Sequence, residues 1–192
     1  VARFTRAELE SFRDAEVPDL LPAGELKLLF VGINPGLWTA ATQTHFAHPA
    51  NRFYPALLAA GIITEPVSPS DGMTDADRAR LTARGIGITN VVRRATARAS
   101  ELTAEEYRAG GLALVETVRR TRPRVVAVAG VTAYRAAFGD RRAALGRQPV
   151  GLPGAPGSEL WVVPNPSGLN AHETVASLAA AYAEAARAAG VL

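Results

Sequence analysis

Leu28-Leu29-Phe30-Val31-Gly32-Ile33-Asn34-Pro35-Gly36 runs from an unbroken apolar segment into a rigid polar turn. Leu160-Trp161-Val162-Val163-Pro164-Asn165-Pro166-Ser167-Gly168-Leu169 repeats that arrangement near the other end of the chain. Apolar runs that do not alternate with polar residues predict strands buried on both faces, as in a parallel sheet covered by helices. Strands are predicted over 26–33, 86–92, 123–129 and 160–163. Helices are predicted over 5–15, 49–60, 75–84, 103–120, 132–138 and 173–189. Thr5 is placed as an N-cap, and Thr103 with Glu106 forms a capping box. Pro49 is placed in the first turn of its helix. Residues 39–48, 64–73 and 146–157 read as loops, and 17–24 as a Pro/Gly linker. With right-handed crossovers, this order gives a three-layer α/β/α sandwich around a mostly parallel sheet of four to five strands. One domain is expected over 1–192, with an N-terminal helix and linker to residue 25 and an α/β core over 26–192. The carboxyl ends of parallel strands form the ligand crevice of such a sheet. The two Asn-Pro turns are therefore expected at neighbouring strand ends, building one site.

Composition narrows the chemistry. The 192 residues are 48% hydrophobic and 20% charged, an ordinary globular balance. No stretch approaches the roughly 20 apolar residues of a membrane-spanning helix. No apolar signal core follows Val1-Ala2-Arg3-Phe4-Thr5-Arg6, and a cytoplasmic location is the default expectation. The absence of cysteine removes disulfides, thiolate nucleophiles and cysteine metal sites. Of 21 basic residues, all but Lys27 are arginine, a usage that fits GC-rich coding. The net charge of +3 permits an anionic partner without requiring one. Lys27 opens the first core strand, away from both motifs, which argues against a catalytic amine that forms a Schiff base.

An asparagine amide has no useful pKa, so Asn34 is not a general base. Its oxygen can accept a hydrogen bond from a water and hold the lone pair of that water toward an electrophile. Pro35 fixes the backbone beyond it, while Gly32 and Gly36 leave room for a flat ligand. Alone, an Asn-Pro turn is more often a plain strand cap. In Thr44-His45-Phe46-Ala47-His48-Pro49-Ala50-Asn51-Arg52-Phe53, Phe46 is placed to stack on a base, or simply to pack on the core. His45 and His48 lie three apart with no acidic ligand nearby, which makes a poor metal site. Leu169, apolar on a rigid polar loop, suits a wedge replacing an extruded base, or a cover for the sheet edge.

Taken together, the Gly32-Ile33-Asn34-Pro35-Gly36 turn, the Phe46–Phe53 segment and Asn165-Pro166-Ser167-Gly168-Leu169 resemble the mismatch-specific uracil-DNA glycosylases and their thymine-DNA glycosylase relatives. The resemblance runs from about Leu28 to the last helix and includes Gly85–Asn90 and Arg108–Gly111. It implies a uracil-DNA glycosylase-like fold and a monofunctional enzyme without metal or cofactor. Such an enzyme flips uracil, preferentially opposite guanine, from double-stranded DNA. By the same resemblance, Asn34 orients the water attacking the sugar C1′. Phe46 stacks on the flipped base, Ile33 and Phe46 offer backbone N–H groups to it, and Asn165 helps hold the nucleotide. Gly168, Leu169 and Asn170 form the wedge and touch the opposite strand. Gly36 stands where stricter relatives carry a tyrosine, which implies access for larger bases.

Asn170-Ala171 replaces the Ser-Arg usual in bacterial relatives. Asn90 stands where some of them have lysine, and Arg93-Arg94 where an acid then arginine is usual. Arg93 and Ser167 are candidates for phosphate contact, and a monomer is expected. Other readings are a glycosylase of wider range (thymine, ethenocytosine, deaminated purines), a non-catalytic mismatch binder, and an unrelated nucleotide-binding α/β protein. The last lacks a Gly-x-Gly-x-x-Gly or a P-loop lysine.

Overall fold

The computed structural model describes residues 4–192; Val1, Ala2 and Arg3, on which the reading of the extreme N-terminus partly rests, lie outside the described residues. Among the described residues five strands form one sheet: β1 (Leu28–Gly32), β2 (Ile86–Asn90), β3 (Val125–Ala129), β4 (Gly146–Arg147) and β5 (Glu159–Val163). Their order across the sheet is β2-β1-β3-β5-β4. All pairs are parallel except β4, which runs antiparallel to β5 at the edge. Among the described residues seven α-helices accompany them: α1 (Arg6–Glu10), α2 (Leu37–Thr42), α3 (Phe53–Ala59), α4 (Asp75–Ala83), α5 (Ala104–Thr121), α6 (Val131–Phe138) and α7 (Val175–Ala189).

Alternate residues of each strand point to opposite faces, and both faces are dry. Leu28, Phe30, Ile88 and Ala127 pack against Phe53, Leu57 and Tyr182 from α3 and α7. Leu29, Val31, Val126 and Val162 pack against Leu114, Val118 and Tyr134 from α5 and α6. The three-layer α/β/α sandwich is thus observed, and its two-sided burial is why the strands read as continuous apolar runs.

Several boundaries differ from expectation. Residues 39–48 contain most of a helix, α2, which ends at Gln43 in the left-handed region (φ 51). α3 begins at Phe53 rather than Pro49. The Asn51 N–H closes a turn onto the His48 carbonyl at 2.8 Å, and Asn51 Oδ1 then accepts from Phe53 N–H at 2.9 Å. Pro55 occupies the first turn of α3, where its missing N–H has no helical partner to lose. α1 stops at Glu10 rather than 15. The 146–157 segment includes the short strand β4.

The N-terminal segment is built into the sheet. Leu20 and Ile88 exchange both backbone hydrogen bonds, at 2.9 and 2.7 Å, covering the outer edge of β2. An exposed strand edge invites pairing with another chain, and this segment blocks it.

Candidate active site

The two Asn-Pro turns do not lie on neighbouring strands: β3 runs between β1 and β5. They meet across the end of β3, which pairs with β5 as far as Ala129–Val163. Its pairing with β1 stops at Val31–Val128, and the chain turns at Gly130 with φ 117. A Cβ on Gly130 would stand 3.7 Å from both Ile33 Cδ1 and Asn165 Cβ. A glycine at a positive φ thus forms the floor between the two turns. Above it opens a cavity of about 370 Å³, with Asn34, Phe46, Asn90, Thr96, Asn165 and Ser167 in its walls. Among the described residues no carboxylate lines it, and one arginine, Arg98, does.

The Asn34 amide is clamped by its nitrogen. Nδ2 donates to the Pro35 carbonyl (3.1 Å), the Arg94 carbonyl (3.0 Å) and Thr96 Oγ1 (2.7 Å). Carbonyl oxygens only accept, so this assignment of the amide follows from its partners. Thr96 Oγ1 in turn donates to the Arg98 carbonyl at 2.9 Å. Oδ1 therefore remains as an acceptor with no bond inside the protein among the described residues. The segment after β2 is itself fixed: Thr96 N–H donates to the Pro35 carbonyl at 3.1 Å, and the Arg94 guanidinium holds Glu106 (2.6 Å) and Asp14 (2.8 Å). The Arg94 hydrogen bond, with help from the Thr103 cap, pulls the Glu106 carboxyl down to about 2.

Phe46 is held in the left-handed region, φ 56, a conformation uncommon for an aromatic residue. Its ring stacks on Phe53 with centroids 4.1 Å apart, leaving the other face toward the cavity. The buried Tyr54 hydroxyl donates to the His45 carbonyl at 3.0 Å. Burial pushes that phenol well above its ordinary pKa, so it remains a donor. The N–H groups of Ile33 and Phe46 donate to no other group among the described residues. Both are available to a ligand.

His45 is buried against Pro18 and Asn90. His45 Nε2 lies 2.9 Å from the Pro18 carbonyl, and Nδ1 lies 3.1 Å from Asn90 Nδ2. His48 is exposed and accepts from Ala50 N–H through Nδ1 at 3.1 Å. The two histidines therefore face different partners and share no site.

At the second turn, Asn165 Oδ1 accepts from Ser167 N–H at 3.0 Å, and its Nδ2 donates to no group among the described residues. Leu169 stands at the loop tip, 91% exposed. Gly168 packs against Ala50, whose carbonyl would lie 2.6 Å from a Cβ there. Asn170 turns back, its Nδ2 donating to the Asn165 carbonyl at 3.0 Å. Ser167 Oγ accepts from Leu169 N–H at 3.3 Å. Arg93 is not at the cavity; its guanidinium pairs with Asp19 at 2.9 Å. A phosphate would have to compete with that carboxylate.

Sequence reasoning missed the supports of this site: Thr96, Arg94, Tyr54 and, above all, Arg52. The Arg52 guanidinium gathers the carbonyls of Ser167 (2.6 Å), Asn170 (2.7 Å) and Glu173. Its own backbone N–H donates to the Pro166 carbonyl at 3.0 Å. Only its place inside the Asn51-Arg52-Phe53 motif marked it among the many arginines.

A rigid amide with a bare acceptor, a ring with one face available, two backbone donors and no carboxylate suit a flat, carbonyl-bearing ligand that leaves as an anion. A family model described as the uracil DNA glycosylase superfamily matches residues 18–187, a span that contains the whole cavity wall and both Asn-Pro turns. That match extends over most of the 192 residues. The chain therefore belongs to the uracil DNA glycosylase superfamily, and its activity is that of a DNA glycosylase.

Proposed function

We propose that this glycosylase removes uracil, preferentially opposite guanine, from duplex DNA and leaves an intact abasic site. The observation that carries this reading is the Asn34 clamp. With Nδ2 engaged by three acceptors, Oδ1 is held as the acceptor that orients a water toward C1′. Breaking the N-glycosidic bond builds positive charge on the sugar and negative charge on the departing base. The N–H groups of Ile33 and Phe46 stabilise that base anion at its carbonyl oxygen, the role of an oxyanion hole. Phe46 stacks on the base, and Asn165 Nδ2 holds the flipped nucleotide. Leu169 fills the gap in the stack, and a mismatched pair is cheaper to open than a matched one. The scheme uses a monomer and needs no metal or cofactor. Without a carboxylate to offset the sugar cation, turnover is slow.

One observation favours a wider range as a second reading. Nothing lies within 4 Å of where a Gly36 Cβ would stand, so the wall beside the base is open to 5-substituted pyrimidines.

The deciding experiment is base release from a labelled duplex with one G·U pair, with and without alkali, beside Asn34→Ala. Strand breaks only after alkali, and only with the unmutated protein, are expected. Unchanged release by Asn34→Ala would remove the water-orienting role. Retention of the mismatched duplex without any release would point to a binder.

A further inference from the structure

We propose that α1 and the segment after β2 enclose a second groove, continuous with the base cavity, that holds the phosphodiester backbone of the lesion-bearing DNA strand through Arg6 and Arg98. The proposal takes the base cavity as the seat of a flipped nucleotide, as read above. α1 lies outside the span that matches the family, which begins at residue 18. Five residues make no stable helix on their own, so α1 needs anchors. Leu9 and Phe12 pack against Val17, Leu37, Ala40 and Ala95. The Phe4 ring meets Trp38 edge-on, with centroids 5.1 Å apart. Arg13 ties the turn after α1 to the segment after β2: its guanidinium holds Glu10 at 2.8 Å and also Glu101. The helix is thereby fixed beside the residues that follow the Asn34-Pro35 turn.

The groove left between these parts has a volume of about 710 Å³. Gly36, His48, Ala97 and Arg98 line both it and the base cavity, and no residue of the Asn165–Leu169 loop lines it. It therefore leaves the base cavity on the side away from the wedge. Its charge is uneven. The carboxylates of Glu10 and Glu101 are both occupied by Arg13. Arg6 and Arg98 line the groove, are exposed, and pair with no carboxylate among the described residues. A guanidinium stays charged at any working pH and bonds phosphate oxygens in a planar fork. A nucleotide swung into the base cavity brings the phosphates on either side of it to the cavity rim. The DNA backbone must run on from that rim, and the groove continues the rim with two cations in its walls. An acidic peptide would meet the same charges, but continuity with the base cavity favours the strand whose nucleotide is flipped.

The test measures binding of a G·U duplex whose uridine carries a 2′-fluorine, which resists cleavage, across a range of salt. Each neutralised phosphate adds about 0.9 to the fall of log K with log salt. Arg6→Gln and Arg98→Gln should each reduce that slope by about 0.9, and the double substitution by about twice as much. Arg142→Gln, at an exposed arginine outside the groove, should leave the slope as it was. Replacing lesion-strand phosphates one at a time by neutral methylphosphonates locates the contact. One such replacement should weaken binding by the unmutated protein and leave binding by Arg6→Gln unaffected. Arg6 does not line the base cavity, so single-turnover release from a saturating natural G·U duplex should be unchanged in Arg6→Gln. A slope unmoved by both substitutions, an equal change in Arg142→Gln, or coupling of Arg6 to a phosphate of the opposite strand overturns the groove assignment and leaves the glycosylase standing. No uracil release by the unmutated protein overturns the reading of the base cavity, and the proposal with it.

Discussion

The Tyr54 hydroxyl donates to the His45 carbonyl at 3.0 Å, and this bond decides where the Phe46 N–H points. The two groups belong to one planar trans peptide, so they face opposite ways. With the carbonyl drawn into the core, the N–H is turned outward. Tyr54→Phe leaves that buried carbonyl without a donor, at a cost of about 1–3 kcal/mol in stability. Urea unfolding should show the loss, and uracil release should slow in the same variant while duplex binding persists. Full activity in Tyr54→Phe would mean that the peptide is fixed by other contacts.

Thr96→Val removes one of the three acceptors that hold the Asn34 amide and keeps the shape of the side chain. The remaining bonds to the Pro35 and Arg94 carbonyls let the amide rock. Single-turnover release should fall about tenfold, the equivalent of about 1.4 kcal/mol of transition-state stabilisation. Affinity for the mismatched duplex should stay as it was, and a gel-shift titration separates the two effects.

Gly36 has φ −76 and ψ 164, extended backbone open to any residue, and empty space where a side chain would go. Gly36→Tyr should fold with unaltered stability. It should retain uracil release while release of 5-substituted pyrimidines falls below detection. Competition between G·U and G·T duplexes measures this directly, and equal loss on both would place Gly36 away from the C5 edge.

Acid should loosen the support of Asn34 through one ion pair. Glu106 titrates at about 2 in the folded protein, below its ordinary 4.5, chiefly because Arg94 hydrogen-bonds the charged form. A depressed carboxyl binds more protons when unfolded, so stability falls as protons are added. The contribution is complete above about pH 4.5 and disappears as pH drops toward 2. Glu106→Gln should flatten that part of a pH–melting curve, and an unchanged acid limb would assign it to other carboxylates.

The layers were legible because burial on both faces writes a strand as an uninterrupted apolar run, as in Leu28–Val31 and Val125–Ala129. Helix caps were legible where they are local: Thr5 and Thr103 both bond the glutamate three residues on. What escaped was built from distant parts. α2 is six residues, Leu37–Thr42, too short to show a helical period, and is fixed in part by a Trp38 Nε1 bond to the Ser70 carbonyl. β4 has two residues and exists only by pairing with Trp161 and Val162. Thr96, Tyr54 and Arg52 act on carbonyls or amides far along the chain, and such bonds leave no periodicity to read. The motifs named the cavity wall; they did not reveal that β3 separates the two turns, since strand order across a sheet is not written in any one segment.

Arg52 joins the two halves of the site mechanically. It belongs to the N-terminal boundary of α3, next to Phe53, on which the Phe46 ring rests, and it grips the loop that carries Leu169. A push on the loop tip is therefore carried through the guanidinium to the platform under the base. Wedge and platform share one chassis, so the depth to which Leu169 enters a duplex and the seat offered to the extruded base are fixed by the same dimension of the protein.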